Sequence, residues 1–336
     1  MVNKMNGRIP FLLKPAAKDY LWGGCRLNDD YGKKIDMSPL AETWECSTHP
    51  DGQSYINSGF YKGCSLGEVL KIHPDWLGYH PLCLTNGKPE LPILIKLIDA
   101  KADLSVQVHP DDAYAMKYEN ESFGKAELWY VLDAEKGASL ICGFNQNMDK
   151  DKIRREIETG TIERFLNRVL VNKNDIFYIN PGMVHAIGAG VVIAEIQESS
   201  NLTYRLYDYD RVDKNGKKRE LHIDKALDVA ILSSSIDPRQ PMRVLKYKKG
   251  FASEIIKKCK YFQVDRLLIN ADNHENVNEY TTSSNSFHAM LCTEGYGELS
   301  GDDFTLELCK GECIFIPADS VKMNFHGRVE ILDISC

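Results

Sequence analysis

No apolar run in this 336-residue sequence approaches the roughly 20 residues that a membrane-crossing helix needs. The opening residues, Met1-Val2-Asn3-Lys4-Met5-Asn6-Gly7, lack the apolar core of a signal peptide. No membrane partner is expected, and the cytoplasm is the expected compartment. Cys-x-x-Cys is missing as well. The ten cysteines fall at irregular spacings, with Cys309 and Cys313 the one close pair, and no third or fourth ligand stands beside them. Reduced thiols fit that pattern better than a disulfide framework. Long basic patches are also absent, and the net charge is −7. The densest basic run, Lys214-Asn215-Gly216-Lys217-Lys218-Arg219, is short and flanked by acids, and reads as a solvated hairpin loop around an Asn-Gly turn. Nucleic acid is therefore not an expected partner.

What remains is an ordinary globular composition, 43% hydrophobic and 26% charged, in a chain long enough for about two domains. Strand-like runs dominate: 91–98, 104–108, 128–132, 175–179, 191–196 and 287–292. Helical patterns interrupt them. Ser65-Leu66-Gly67-Glu68 is a capping box that opens a helix to about Ile72. Apolar residues at Ile153, Ile157, Ile162, Phe165, Leu166 and Val169 predict one or two amphipathic helices over 149–170, broken at Gly160. Residues 224–232 predict another. A faint internal repeat relates Asn174-Asp175-Ile176-Phe177-Tyr178-Ile179-Asn180-Pro181 to Gly311-Glu312-Cys313-Ile314-Phe315-Ile316-Pro317. Each is a buried strand ending at a Pro turn, followed by a Gly and a second apolar strand (191–196 and 329–334). The expected fold is mainly β, with two jelly-roll barrels and helical insertions in the N-terminal part. The junction falls in the Ser- and Pro-rich stretch 233–241. This gives a metal-binding domain over 1–240 and a metal-free jelly roll over 241–336.

The metal expectation rests on Ser105-Val106-Gln107-Val108-His109-Pro110. Side chains alternate along a strand, so Gln107 and His109 share a face. A lone histidine in a strand is more often structural. Here Gln107 two residues earlier and Pro181-Gly182-Met183-Val184-His185 later reverse those odds. With Glu127, two imidazoles, a carboxylate and an amide oxygen suit Zn²⁺, with Fe²⁺, Mn²⁺ or Co²⁺ as alternatives. In the second copy of the repeat, Val321 stands where His185 stands in the first, with Lys322 beside it. The other seven histidines lack such company. Several charges interrupt apolar strands. Lys96 within Pro92–Ile98 needs a partner or an open edge. Glu195 within Val191–Ile196 needs a polar cleft, a cation or an exposed face. Lys125 is either a loop lysine or shares a face with Glu127, and Arg205 is either a surface ion pair or a site residue. Trp22 and Trp44 line a cleft or belong to the core.

Leu40-Ala41-Glu42-Thr43-Trp44-Glu45, Ser105–Pro110, Gly124–Glu127, Pro181–His185 and Tyr204-Arg205-Leu206-Tyr207-Asp208-Tyr209-Asp210-Arg211, in this order, resemble the type I mannose-6-phosphate isomerases. Those are zinc-dependent proteins of the cupin superfamily, and the compact length is that of the short bacterial form. The resemblance runs from about Pro10 to the end. It implies two cupin-type barrels and one zinc ion per chain, held by Gln107, His109, Glu127 and His185. It also implies site residues at Lys96, Ser105, Lys125, Glu195 and Arg205. Of these, Arg205, Lys125 and Glu195 are expected to be catalytic, and Lys96, Ser105 and Arg205 to bind substrate. The implied substrate is a sugar phosphate and the implied assembly a monomer or small homo-oligomer.

Interconversion of mannose 6-phosphate and fructose 6-phosphate moves a proton between C1 and C2 through an enediolate. It needs a proton carrier, a positive group near O1 and O2, and a cationic anchor for the phosphate. Two other classes compete: a cupin-type metal enzyme such as an Fe²⁺ oxygenase, and a sugar-binding protein with structural zinc. The former favours a His-richer open site, and the latter has no need of Lys125, Glu195 and Arg205 together.

Overall fold

Alternating apolar residues set the strands, and the antiparallel ladders they form make up three sheets. The computed structural model describes residues 8–120, 123–212, 216–241, 243–271 and 278–336. A six-stranded sheet runs Ile176–Ile179, Glu127–Ala134, Val191–Glu198, Ile93–Ala100, Glu42–Cys46, Ala16–Lys18. A five-stranded sheet runs Tyr204–Tyr207, Val106–Val108, His185–Ile187, Ser139–Phe144, Leu166–Leu170. The ten-stranded sheet is built mainly from the C-terminal third, but it takes in Phe11–Lys14 and Tyr55–Ile56, with Phe11 opposite Phe315. The chain is thus mainly β. Each sheet is an open ladder, so the expected closed barrels are not drawn by the hydrogen bonding.

The six- and five-stranded sheets share one core. Ile98, Ala100, Trp129, Val131, Val191 and Ile193 of the first meet Leu140, Cys142, Val169 and Ile187 of the second. The opposite face of the six-stranded sheet carries Ile93, Ile95, Leu97, Leu128, Tyr130, Ala194 and Ile196. It packs with Phe287, Phe315, Leu332 and Ile334 of the ten-stranded sheet. Because the side-chain period is two, the inner face of the sandwich continues from Ile98 to Lys96, from Ile193 to Glu195 and from Trp129 to Glu127. At this end the apolar core gives way to charge, and that end is the site.

The capping box forms as expected: Ser65 Oγ accepts from Glu68 N–H, Glu68 Oε2 accepts from Ser65 N–H, and the helix spans Leu66–Ile72. The third expected helix spans Ile223–Val229. The stretch 149–170 departs from expectation. Asp149 caps a helix over Lys150–Glu158, Gly160 turns the chain at φ +68°, and one 3-10 turn follows over Ile162–Phe165. Leu166–Leu170 is then a strand paired with Ser139–Phe144, not a helix. In so short a run, the edge of the five-stranded sheet supplies backbone hydrogen bonds that outweigh a weak helical preference. Within the basic run, Lys214 and Asn215 lie outside the described residues, while Val212 and Lys218 form an isolated antiparallel bridge. Among the described residues no helix is long and apolar enough to cross a membrane.

Candidate metal centre and substrate cleft

Three segments bring the ligand candidates together. His185 opens the strand His185–Ile187, directly opposite Gln107. His109 follows the strand Val106–Val108, and Glu127 opens the strand Glu127–Ala134 on the facing sheet. A turn at Pro181-Gly182 sets the register. Gly182 sits at φ +85°, a conformation that L side chains rarely adopt, and its N–H donates to His109 O at 2.9 Å. At Gly124 an added Cβ would lie 2.5 Å from the Asp111 carbonyl carbon, so only glycine admits the approach that brings Lys125 and Glu127 in.

His109, Glu127 and His185 are fully buried, and one ligand atom from each lies within 4.8 Å of the others. His109 Nδ1 donates to Leu202 O and His185 Nδ1 donates to Met183 O, each at 2.8 Å. A carbonyl accepts only from N–H, so the two tautomers are set and both Nε2 atoms carry lone pairs. Those atoms face each other at 3.2 Å. Burial, with Lys125 next, lowers the His109 pKa to about 3, and burial lowers that of His185 too, so neither ring holds the extra proton that would join them. Burial works against the Glu127 charge, yet Lys125 and the two imidazoles hold its pKa well below the ordinary value. Neither Glu127 oxygen has a well-formed hydrogen bond, although Lys125 Nζ lies 2.7 Å and His109 Nε2 3.2 Å from Oε1. Two imidazole lone pairs, met only by Lys125 Nζ at 3.3 Å and the Gln107 amide at 3.5 Å, converge with an under-bonded carboxylate in a buried space and form a donor set for a divalent cation.

Gln107 and Lys125 lead from this triad into a cleft of about 310 Å³. On one wall Lys96 Nζ lies 3.2 Å from Glu195 Oε1 and 3.8 Å from Glu42 Oε2, all three being buried. Trp129 Nε1 donates to Glu195 at 2.9 Å and Trp44 Nε1 to Glu42 at 2.8 Å. Burial opposes the Lys96 charge, but Glu195 and Glu42 together raise its pKa. Burial, then Glu127, raises that of Glu195. On the other wall Arg205 Nε donates to Ser105 Oγ at 3.3 Å and Nη1 to Glu220 O at 2.8 Å. Arg219 stands nearby, clamped by Asp208 through two bonds of 2.7 and 2.6 Å. Trp22 lines the cleft, whereas Trp44 is core, with Lys96 Nζ 5.1 Å from the centroid of its ring.

All the expected residues therefore surround one space: Lys96, Ser105, Gln107, Lys125, Glu195 and Arg205 line the cleft, and His109, Glu127 and His185 close its inner end. Glu42, Arg219, Asn201, Thr203 and Tyr20 also line it and were not singled out from the sequence. For Glu42 the signal was available: an acid following Leu40-Ala41 and two residues from Trp44 on a strand. Val321 and Lys322 are far simpler. Lys322 is exposed and pairs with Glu279 at 3.1 Å.

Residues 10–148 match the family model of the type I phosphomannose isomerase catalytic domain, and residues 253–335 match that of the mannose-6-phosphate isomerase cupin domain. The chain is 35% identical to the mannose-6-phosphate isomerase ManA of Bacillus subtilis over 323 residues, 96% of this chain and 98% of that protein. It is 33% identical to the mannose-6-phosphate isomerase of Streptococcus mutans, over 96% of this chain and 97% of the relative. The crystal structure of a mannose 6-phosphate isomerase from Bacillus subtilis superposes with a TM-score of 0.86 at 33% identity, covering 97% of this chain and 99% of the other. With its cleft, its buried His-Glu-His triad and these full-length relatives, the chain belongs to the type I mannose-6-phosphate isomerases.

Proposed function

We propose that the chain interconverts mannose 6-phosphate and fructose 6-phosphate through an enediolate, with one zinc ion held by His109, Glu127, His185 and Gln107. The observation that carries this reading is the pair of opposed Nε2 lone pairs beside Glu127, at the inner end of a cleft walled by Lys96, Lys125 and Arg205. Gln107 Nε2 lies 3.5 Å from His185 Nε2, and a half-turn of the amide presents Oε1 there instead. Zinc, when bound, supplies Lewis-acid polarisation of the sugar oxygens.

The chain's own residues do the rest. Arg205, oriented by Ser105, and Arg219, oriented by Asp208, offer a forked cationic wall that suits the phosphate dianion. Lys125 places positive charge where the enediolate oxygens develop negative charge. Glu195 Oε1 has no well-formed hydrogen bond beyond its ion pair with Lys96, and the raised pKa of its carboxyl suits it to carry the proton between C1 and C2. Lys96 sets one positive charge between Glu195 and Glu42 at the cleft wall. Residues 1–240 form the metal-binding part and 241–336 a metal-free part. Among the described residues the His-Glu-His triad is the one cluster of its kind. An Fe²⁺ oxygenase has no use for the two arginines, and a plain sugar binder none for Lys125, Glu195 and Arg205 together.

The test is a coupled assay for fructose 6-phosphate formed from mannose 6-phosphate by the purified chain. Steady formation is expected. A metal-loaded, folded protein that forms none contradicts the proposal.

A further inference from the structure

Glu198 ends the strand Val191–Glu198 and is fully buried, yet it takes no part in the chemistry described above. Its backbone N–H donates to Ala126 O at 3.2 Å, and its side-chain Oε1 accepts from Ala126 N–H at 2.8 Å. One residue thus grips both peptide groups of Ala126, which separates Lys125 from Glu127. The preceding residues are held too. Lys125 N–H donates to Pro110 O at 3.1 Å, and Gly124 N–H donates to Asp112 Oδ1 at 3.0 Å. Asp112 is itself anchored from the ten-stranded sheet. Lys260 Nζ and Tyr261 Oη donate to its Oδ2 at 2.8 and 2.7 Å, from the turn between strands Phe251–Lys258 and Gln263–Ala271.

The second carboxyl oxygen of Glu198, Oε2, has no donor and stands beside Asp112. Burial, opposed by the Ala126 N–H and reinforced by Asp112, raises the Glu198 pKa to about 8. Burial works against the Asp112 charge, but Lys260, Gly124 and Tyr261 bring its pKa down to about 2. The stable arrangement is a neutral Glu198 beside an ionised Asp112, with the Glu198 proton directed at Asp112.

The geometry points to Glu198 as a positioning residue: it fixes the Lys125-Ala126-Glu127 segment and, with Asp112, ties that segment to the Lys260–Tyr261 turn. This rests on the reading of Glu127 as a metal ligand and Lys125 as the cation facing substrate. A purely structural residue would lower stability and leave the metal affinity of the folded protein alone. A clamp on Glu127 sets that affinity.

Apoprotein of the wild type, E198Q, E198A and the K260A/Y261F double variant is titrated with Zn²⁺ against a chromophoric chelator, and kcat and KM are measured on the reloaded enzymes. In E198Q the amide oxygen still accepts from Ala126 and an amide N–H replaces the proton facing Asp112. Zinc affinity and kcat within about threefold of wild type are expected. E198A is expected to bind zinc at least tenfold more weakly and to lose at least tenfold in kcat with a smaller change in KM. The double variant is expected to bind zinc at least threefold more weakly. Folded E198A with wild-type zinc affinity overturns the proposal, as does E198Q falling as far as E198A. Should E198A fail to fold, unchanged zinc affinity in the double variant overturns it. A wild type that binds zinc but does not isomerise sinks the functional reading alone, because the titration still tests the clamp.

Discussion

Lys96→Met removes the one cation between two buried carboxylates. At an effective dielectric near 20, charges 3.2 and 3.8 Å apart attract by about 5 and about 4 kcal/mol. Losing one partner of a buried pair destabilises by roughly 3–5 kcal/mol, unless the stranded acid takes up a proton. Glu195 is the acid that does so, because burial and Glu127 already raise its pKa. A carboxyl whose pKa is higher in the folded chain holds more protons there. Its favourable effect is full below the unfolded value of about 4.3 and is lost as pH rises through the folded value. Removing Lys96 raises that folded value further and widens the window. Each added unit is worth about 1.36 kcal/mol. Lys96 itself, with its raised pKa, stays charged through the whole range and adds no slope below about pH 10. Urea unfolding of both metal-free proteins at pH 5, 6.5 and 8 reads the effect. Lys96→Met is expected to be less stable by at least about 3 kcal/mol at pH 8, with the deficit shrinking by at least about 1.4 kcal/mol at pH 5. A deficit that stays constant across pH, or no deficit at all, would refute the reasoning.

If Arg205 binds the substrate as proposed, its charge-assisted bonds are worth roughly 1.5–3 kcal/mol, so Arg205→Ala should lower kcat/KM at least about tenfold, and unchanged kinetics would contradict that contact. Phe315 is fully buried, its ring stacked 5.2 Å from those of Phe11 and Phe287. Phe315→Ala should destabilise by roughly 3–5 kcal/mol in thermal or urea unfolding while leaving bound metal in place, and metal loss from the folded variant would contradict the division of labour. Lys322→Ala, at an exposed ion pair with Glu279, should leave kcat and KM near wild type, and a large loss of turnover at unchanged stability would bring the C-terminal part into the site.

The inner end of the site was legible because strand periodicity is local. Gln107 and His109 share a face by spacing alone, and Lys96 and Glu195 stood out as charges in apolar runs. Their pairing, with Glu195 directly opposite Lys96, follows from a register that joins residues a hundred positions apart, and no local pattern encodes it. The same holds for Glu42, in the segment Leu40–Glu45, and Arg219, in the basic run, because nothing local in either segment places it at the cleft. Phe11–Lys14 is a strand that was not singled out from the sequence, and it adds to a sheet built 300 residues later. The misreading of Leu166–Leu170 has a different origin: Ile162, Phe165, Leu166 and Val169 keep a helical spacing, and only the neighbouring strand Ser139–Phe144 decides between the two structures.

The central claim is that one metal ion at His109, Glu127 and His185 is required for isomerisation. The direct measurement is stepwise return of Zn²⁺ to chelator-treated, folded protein, following fructose 6-phosphate formation against bound metal, with His109→Ala and His185→Ala in parallel. Activity should rise from zero in proportion to bound zinc and level off at one ion per chain, and both variants should fail to retain metal. Turnover that survives complete metal removal, or full metal occupancy in the two variants, would contradict the account.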